Sequence, residues 1–271
     1  MGNLLNASDA VSNSEIKNLF EDKIAGVHNP LALNNAMVIN LMFLGFRGSK
    51  ELYTRMLGDI KIVTVDGNKE LHIAKERTTK TRTGEVPKSV PYGLPILAAT
   101  GGLDCPVKVF EELQKRRPRK FLHDNSPMFL RPATTDPKST LRPDKTWFYN
   151  SRVGLNYIGK MMRTMMVESD VDVTGRKITN TSCQKSMATT MIKKNYSTKA
   201  VMRQLRHAHP DSMLRYDASD VPAEQITGDL FGQPPEQPCS SKDNPEEEQL
   251  AVAPSHFGPN VTTTKIFNIQ F

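Results

Sequence analysis

Apolar residues recur every three or four positions in several stretches of the chain, which is the pattern of amphipathic α-helices. The first stretch follows Ser12 and Glu15, whose spacing matches a capping box. The second opens at Pro30 and runs to Leu44, where Gly45 ends it. The same pattern predicts further helices at 107–115, 155–166, 182–193, 197–206 and around 212–216.

Between residues 59 and 82 the spacing changes from helical to alternating. Apolar residues alternate with polar ones on both sides of Asp66-Gly67-Asn68, a sequence typical of a tight turn. This segment therefore predicts a β-hairpin. Together with the helical stretches, it predicts a protein that is mostly α with a small antiparallel β-sheet, that is, an α+β fold.

The chain after residue 220 has a different composition. Residues 221–259 are rich in Pro, Glu, Gln and Ser and poor in aromatic residues, so they cannot bury enough surface to offset their ordering entropy. The last residues alternate Phe267, Ile269 and Phe271 with polar neighbours, which predicts a strand. The predicted organisation is a flexible N-terminus at 1–13, a domain at 14–220, a disordered acidic linker at 221–259 and a terminal strand at 260–271.

The formal net charge of +7 conceals an asymmetry along the chain. Residues 221–271 carry −5, whereas residues 1–220 carry +12. A body this basic suits a polyanionic partner such as nucleic acid. Its densest basic cluster, Lys115–Lys120, fits a phosphate-contacting or nuclear-localisation patch, and equally the solvated rim of a loop.

Several classes of protein are excluded by what the sequence lacks. No run approaches the ~18 uncharged apolar residues of a membrane-spanning helix, and residues 1–6 do not have the pattern of a secretory signal. Cys105, Cys183 and Cys239 lie far apart, so we expect free thiols in a reducing compartment rather than disulfides or a zinc site. We expect no membrane partner.

The residues able to do chemistry on phosphate fall in four separated segments. They are Leu44–Leu52 with Arg47, Glu76–Gly84 with Lys80, Ile178–Ser186, and Gln204–His207 followed by Tyr216. Taken singly, each residue also fits a structural role. Arg47 fits a helix C-terminal cation, Lys80 a solvated hairpin tip, His207 a surface histidine and Tyr216 a partly buried anchor. The pair His207 and His209 lacks a neighbouring cluster of carboxylates or cysteines, so we expect neither a metal nor a cofactor.

In their order and spacing, the four segments resemble the catalytic domain of tyrosine recombinases. Within that family the chain looks most similar to the Crypton-derived branch, which includes domesticated domains at the C-termini of zinc-finger MYM-type proteins. The likeness covers roughly residues 14–220. Within that range it is supported by three further stretches, Cys105-Pro106-Val107, Trp147-Phe148 and Asn156–Gly159. It implies the mostly α catalytic fold of that family, with a hairpin that carries the lysine.

The resemblance also implies a chemistry. In the family a tyrosine attacks a DNA phosphodiester and forms a 3′-phosphotyrosyl link, while arginines, a lysine and histidines hold the phosphate and move protons. Carried over, Arg47 is the first arginine, Lys80 the hairpin lysine, His207 the last histidine and Tyr216 the nucleophile. Such groups are needed because charge on the phosphate oxygens must be neutralised, and a phenol with a pKa near ~10 must be activated.

The third segment departs from the family pattern. Thr181 stands where the family has a histidine, and Gln184 where it has an arginine, although the flanking residues keep their spacing. Lys185 could lend a charge, but it lies about 100° around a helix from Gln184. Losing both groups should slow cleavage at least ~10⁴-fold, since a single donor is worth ~10²–10³ and a phosphoryl-transfer arginine ~10³–10⁵.

The sequence therefore predicts a catalytically degenerate recombinase domain that binds double-stranded DNA in the nucleus, weakly and with little sequence preference. One alternative is a protein-interaction or scaffold module in a nuclear complex, with the former DNA groove serving a protein partner. The other is an active DNA strand-exchange recombinase with a replacement third segment.

Overall fold

The structure, a computed structural model, describes residues 8–46, 48–75, 93–206 and 223–231. All of these belong to one compact unit. Its architecture is mixed, with helices around a single hydrophobic core and two small antiparallel sheets among the described residues. The helices are α1 (Asn13–Glu21), α2 (Pro30–Phe43), α3 (Ser49–Tyr53), α4 (Pro106–Arg116), α5 (Leu155–Glu168), α6 (Ser182–Lys193), α7 (Thr198–Leu205) and α8 (Ala223–Phe231). The strands are β1 (Ile60–Val65), β2 (Asn68–Ile73), β3 (Ile96–Ala98), β4 (Leu130–Pro132) and β5 (Phe148–Arg152).

Helix α2 lies within the hydrophobic core. Asn29 caps it by accepting a hydrogen bond from the Ala32 amide at 2.8 Å, and Pro30 occupies its first turn. Every residue of α2 is buried, so the helix is enclosed on all sides rather than amphipathic. Helix α1 has the predicted capping box, in which Ser12 and Glu15 bond each other's backbone amides at 3.1 and 2.7 Å.

The predicted hairpin is confirmed, but the sheet is larger than predicted. Strands β1 and β2 pair through a turn at Asp66 and Gly67, which both have positive φ, as such two-residue turns require. Strand β3 adds to β2, and β4 pairs with β5 in a second sheet. Strands β3 and β4 are three residues long, too short for alternation to be visible in the sequence.

Residues 8–13 pack against the rest of the fold, contrary to the prediction of a flexible N-terminus at 1–13. Val11 is fully buried, and its amide bonds the Ser186 hydroxyl at 2.9 Å. The Asp9 amide bonds the Lys177 carbonyl at 3.0 Å. These contacts join residues more than 160 positions apart, so no local pattern could indicate them.

The prediction of a disordered linker at 221–259 was wrong for residues 223–231, which form helix α8. Leu230 and Phe231 are buried, and the Phe231 ring meets Phe43 of α2 edge-on, with ring centroids 4.6 Å apart. The Thr227 hydroxyl accepts a hydrogen bond from the Ala98 amide at 2.6 Å. Composition averaged over residues 221–259 hid this nine-residue helix, because the polar residues that follow it outweigh its apolar ones. The predicted terminal strand lies outside the described residues.

The substitution Thr227→Val tests the docking of α8. Valine keeps the shape of threonine but leaves the buried Ala98 amide without its acceptor. We expect the free energy of unfolding to fall by about 1–2 kcal/mol in urea denaturation. Thr64→Val, at an exposed position of β1, is the control and should change it by less than ~0.5 kcal/mol. Equal values for the two variants would mean that α8 is not docked.

The basic cluster Lys115–Lys120 is partly structural, which neither interpretation of it predicts. Arg117 is buried, and its guanidinium donates to the carbonyls of Phe121 at 3.1 Å, Met128 at 2.7 Å and Pro127. Burial lowers the pKa of the Arg117 side chain to about 10. The Arg116 guanidinium lies 4.5 Å from the centre of the Trp147 ring. Lys115, Arg119 and Lys120 are exposed.

Candidate functional site

Four of the predicted site residues, Arg47, Lys80, His207 and Tyr216, lie outside the described residues. The structure does describe the residues that adjoin two of them in sequence, Phe46 before Arg47 and Arg206 before His207. It also describes the two departures from the family pattern, Thr181 and Gln184.

The first and fourth segments are in direct contact. Gln204 of α7 is fully buried, and its Nε2 donates to the Phe43 carbonyl at the end of α2, at 2.6 Å. Two residues later, the Arg206 guanidinium bonds the Glu51 carboxylate of α3 at 2.9 Å. The chain therefore brings together stretches that are more than 150 residues apart.

A glycine makes this close approach possible. Gly45 has φ of +78°, a conformation that favours glycine. A Cβ at this position would lie 2.9 Å from both the Arg206 side chain and the Gln204 carbonyl. The turn after α2 therefore needs glycine for its backbone conformation and also for the space it leaves.

Phe46 is the centre of a buried ionic cluster. The guanidinium carbons of Arg55 and Arg206 lie 4.7 and 4.5 Å from the centre of its ring. Glu51 faces Arg206, and Asp59 lies 3.8 Å from Arg55. Each of the two buried guanidinium groups thus has a carboxylate within 4 Å. The pairing of Arg206 with Glu51 was not predicted, because nothing local links residues so far apart in sequence.

In the third segment, Thr181 belongs to a cluster of hydroxyl groups. Its Oγ1 lies 2.8 Å from Ser8 Oγ and 2.8 Å from Thr179 Oγ1, and the Ser8 and Thr179 hydroxyls are 2.6 Å apart. Thr181 also occupies the cap position of α6. Ser8 is a neighbour of this position that sequence reasoning missed, because it precedes the region of resemblance.

Gln184 is buried in the first turn of α6, with 6% of its surface exposed. Among the described residues, no acceptor lies within hydrogen-bonding distance of its Nε2. The adjacent Cys183 is fully buried, and desolvation raises the pKa of its thiol, so it is not a poised nucleophile. Lys185 is exposed, and its Nζ donates to the Ser8 carbonyl at 3.2 Å. The Lys185 charge therefore lies at the surface, whereas the Gln184 side chain is buried.

No group of three or more His, Cys, Asp or Glu side chains is placed to hold a metal ion in the part of the chain that the structure describes. The two cysteines in that part, Cys105 and Cys183, are free. Within the same residues, no helix is both long and apolar enough to cross a membrane. A scan against protein-family models, a search of curated proteins and a search of solved structures each return no match.

Proposed function

We propose that this chain is a DNA-binding domain with the catalytic-domain fold of tyrosine recombinases, derived from a Crypton element, that has lost DNA cleavage and acts in the nucleus. The proposal rests on the four sequence segments and on the geometry of the described residues around them. It assigns binding to the basic body of the chain and assigns no catalytic role to the third segment.

The observation that carries the proposal is the contact between the first and fourth segments. A shared phosphate site requires the stretches that contain Arg47 and His207 to lie side by side. Phe46 and Arg206, their neighbours in sequence, are in contact through the ring of one and the guanidinium of the other. The resemblance predicts that these two stretches meet. The helix and strand periodicity of the sequence does not predict it.

The geometry of the third segment supports loss of cleavage. Cleavage needs a fork-shaped cation and a proton-transferring group aimed at the phosphate. The arginine position holds a neutral, buried amide at Gln184, and the histidine position holds a hydroxyl that is engaged with Ser8 and Thr179. Neither side chain can supply the missing charge or titrate near neutral pH.

Binding of the full chain to a fluorescent DNA duplex tests the proposal. We expect weak binding with little sequence preference, because +12 of charge on residues 1–220 can contact phosphates but implies no readout of bases. The logarithm of the affinity should fall with the logarithm of salt concentration, with a slope of about −0.9 for each phosphate neutralised. Fluorescence anisotropy at four salt concentrations, with two unrelated duplexes of equal length, measures this.

The same titration separates DNA binding from the scaffold alternative. A scaffold module would bind neither duplex at the lowest salt concentration, or would bind with no dependence on salt. A difference of more than tenfold between the two duplexes would contradict non-specific binding and indicate base readout.

A further inference from the structure

The resemblance includes the stretch Asn156–Gly159 but assigns it no part in the cleavage chemistry. In the structure this stretch lies in the first turn of α5, where that helix packs against α3. Gly159 allows the close packing, because a Cβ there would lie 3.1 Å from the Ser49 hydroxyl. An open groove of about 420 Å³ runs between the two helices. It is lined by Ser49, Lys50, Leu155, Asn156, Gly159 and Lys160.

The groove is cationic. Lys50 and Lys160 are both exposed, and no carboxylate among the described residues lies within ion-pairing distance of either. The acid nearest in sequence, Glu51, is engaged by the buried Arg206. None of the lining residues is acidic. The groove therefore presents two lysines whose charges nothing described in the fold neutralises.

Two of the other lining residues carry hydrogen-bond donors that suit phosphate oxygens, while the rest of the groove's surface is mainly apolar. The Ser49 hydroxyl and the Asn156 amide can donate hydrogen bonds. Helix α5 is fourteen residues long and has Gly154 at its cap, so no side chain bonds its first amides. An uncapped helix start next to two lysines adds to the attraction for an anion.

We propose that the groove between α3 and α5 binds the phosphate backbone of duplex DNA, with Lys50 and Lys160 each neutralising one phosphate. This inference rests on the proposed function, since it assigns a place to the contacts that DNA binding requires. It adds a binding surface formed by described residues and separate from the third segment, and it predicts which lysines matter among the many in the basic body.

The test compares two double variants of the full chain that remove the same charge. Lys50→Gln with Lys160→Gln empties the groove of its cations. Lys61→Gln with Lys108→Gln removes two exposed lysines of β1 and α4, which also lack an acidic partner among the described residues. Loss of two contacts should make the salt slope shallower by about 1.8, which corresponds to roughly 60-fold weaker binding at 0.1 M salt. The control pair should weaken binding less than threefold.

Two further measurements test whether the lysines act through their charge and whether the groove prefers DNA to another polyanion. Lys50→Arg with Lys160→Arg keeps both charges and should bind within threefold of wild type. A fluorescent poly-glutamate peptide replaces the duplex in a parallel titration, and we expect it to bind less tightly than DNA of the same charge. Thermal melting should show equal midpoints for all variants, because the substituted side chains are exposed.

Failure of the groove proposal and failure of the proposed function give different results. If wild type binds DNA and both glutamine pairs weaken it equally, the groove is not the site, whereas DNA binding stands. If wild type does not bind the duplex at low salt, DNA binding itself is overturned. Tighter binding of poly-glutamate than of DNA, lost only in the groove variant, would replace DNA with an acidic protein partner.

Discussion

A nicked suicide duplex incubated with the wild-type chain is expected to remain unattached to protein. The reason is the third segment, where Thr181 and Gln184 supply neither the proton-transferring group nor the cation that cleavage needs. The expected deficit is at least ~10⁴-fold in the rate of cleavage. Denaturing gel electrophoresis of end-labelled DNA measures it, since a covalent adduct migrates as a shifted, protease-sensitive band.

Under the proposed function, introducing the histidine and arginine of the tyrosine recombinase pattern should produce a little of this chemistry. In Thr181→His with Gln184→Arg, both side chains take positions that keep the family spacing to each other. We expect a small amount of adduct, because the arginine must enter a buried position and the histidine must displace the contacts of Thr181 with Ser8. A catalytic group misplaced by about 1 Å costs roughly 10²-fold. Ser8→Gly in the same background removes the competing hydroxyl and should increase the yield.

Controls decide which residue carries the link. Adding Tyr216→Phe to the restored variant should abolish the adduct, and circular dichroism establishes that each variant is folded. Adduct formed by wild type would contradict the loss of cleavage and revive the active-recombinase alternative. Adduct that survives Tyr216→Phe would exclude Tyr216 as the nucleophile. A folded restored variant without any adduct would contradict the assignment of the third segment.

The substitution Gly45→Ala is expected to destabilise the fold by roughly 3 kcal/mol, the sum of a left-handed backbone penalty and an overpacking penalty. Its φ of +78° disfavours any side chain, and the new methyl would lie 2.9 Å from the Arg206 side chain and the Gln204 carbonyl. Urea denaturation followed by circular dichroism measures the change.

Gly175→Ala is the matched control for Gly45→Ala. Gly175 also has positive φ, +68°, but an added Cβ would meet no atom within 4 Å. It should therefore cost only the backbone penalty, about 1–2 kcal/mol. The difference between the two variants measures the contact between the first and fourth segments. Equal losses in the two variants would mean that Gly45 does not sit against α7.

The features that could be predicted from the sequence are those that depend on residues close together in the chain. The capping box of α1 and the turn at Asp66 and Gly67 each depend on a few adjacent residues, and both are confirmed. Strand β3 was not predicted because three residues show no period. Helix α8 was missed because the polar composition of 221–259 as a whole conceals a helix of nine residues.

Less of the candidate site could be predicted, because its contacts join residues that are far apart in the sequence. The departures at Thr181 and Gln184 can be read directly from the chain. The surroundings that decide their effect come from residues more than 150 positions away, such as Ser8 beside Thr181. The pairing of Arg206 with Glu51 is likewise a product of tertiary packing, and no periodicity in either stretch indicates it.

Phe43 holds the chain at two places, through its carbonyl to Gln204 and through its ring to Phe231. Helices α7 and α8 are thus both fastened to the C-terminal end of α2. A displacement of that helix end should therefore disturb α7 and α8 together, although the two helices follow each other only at the far end of the chain from α2.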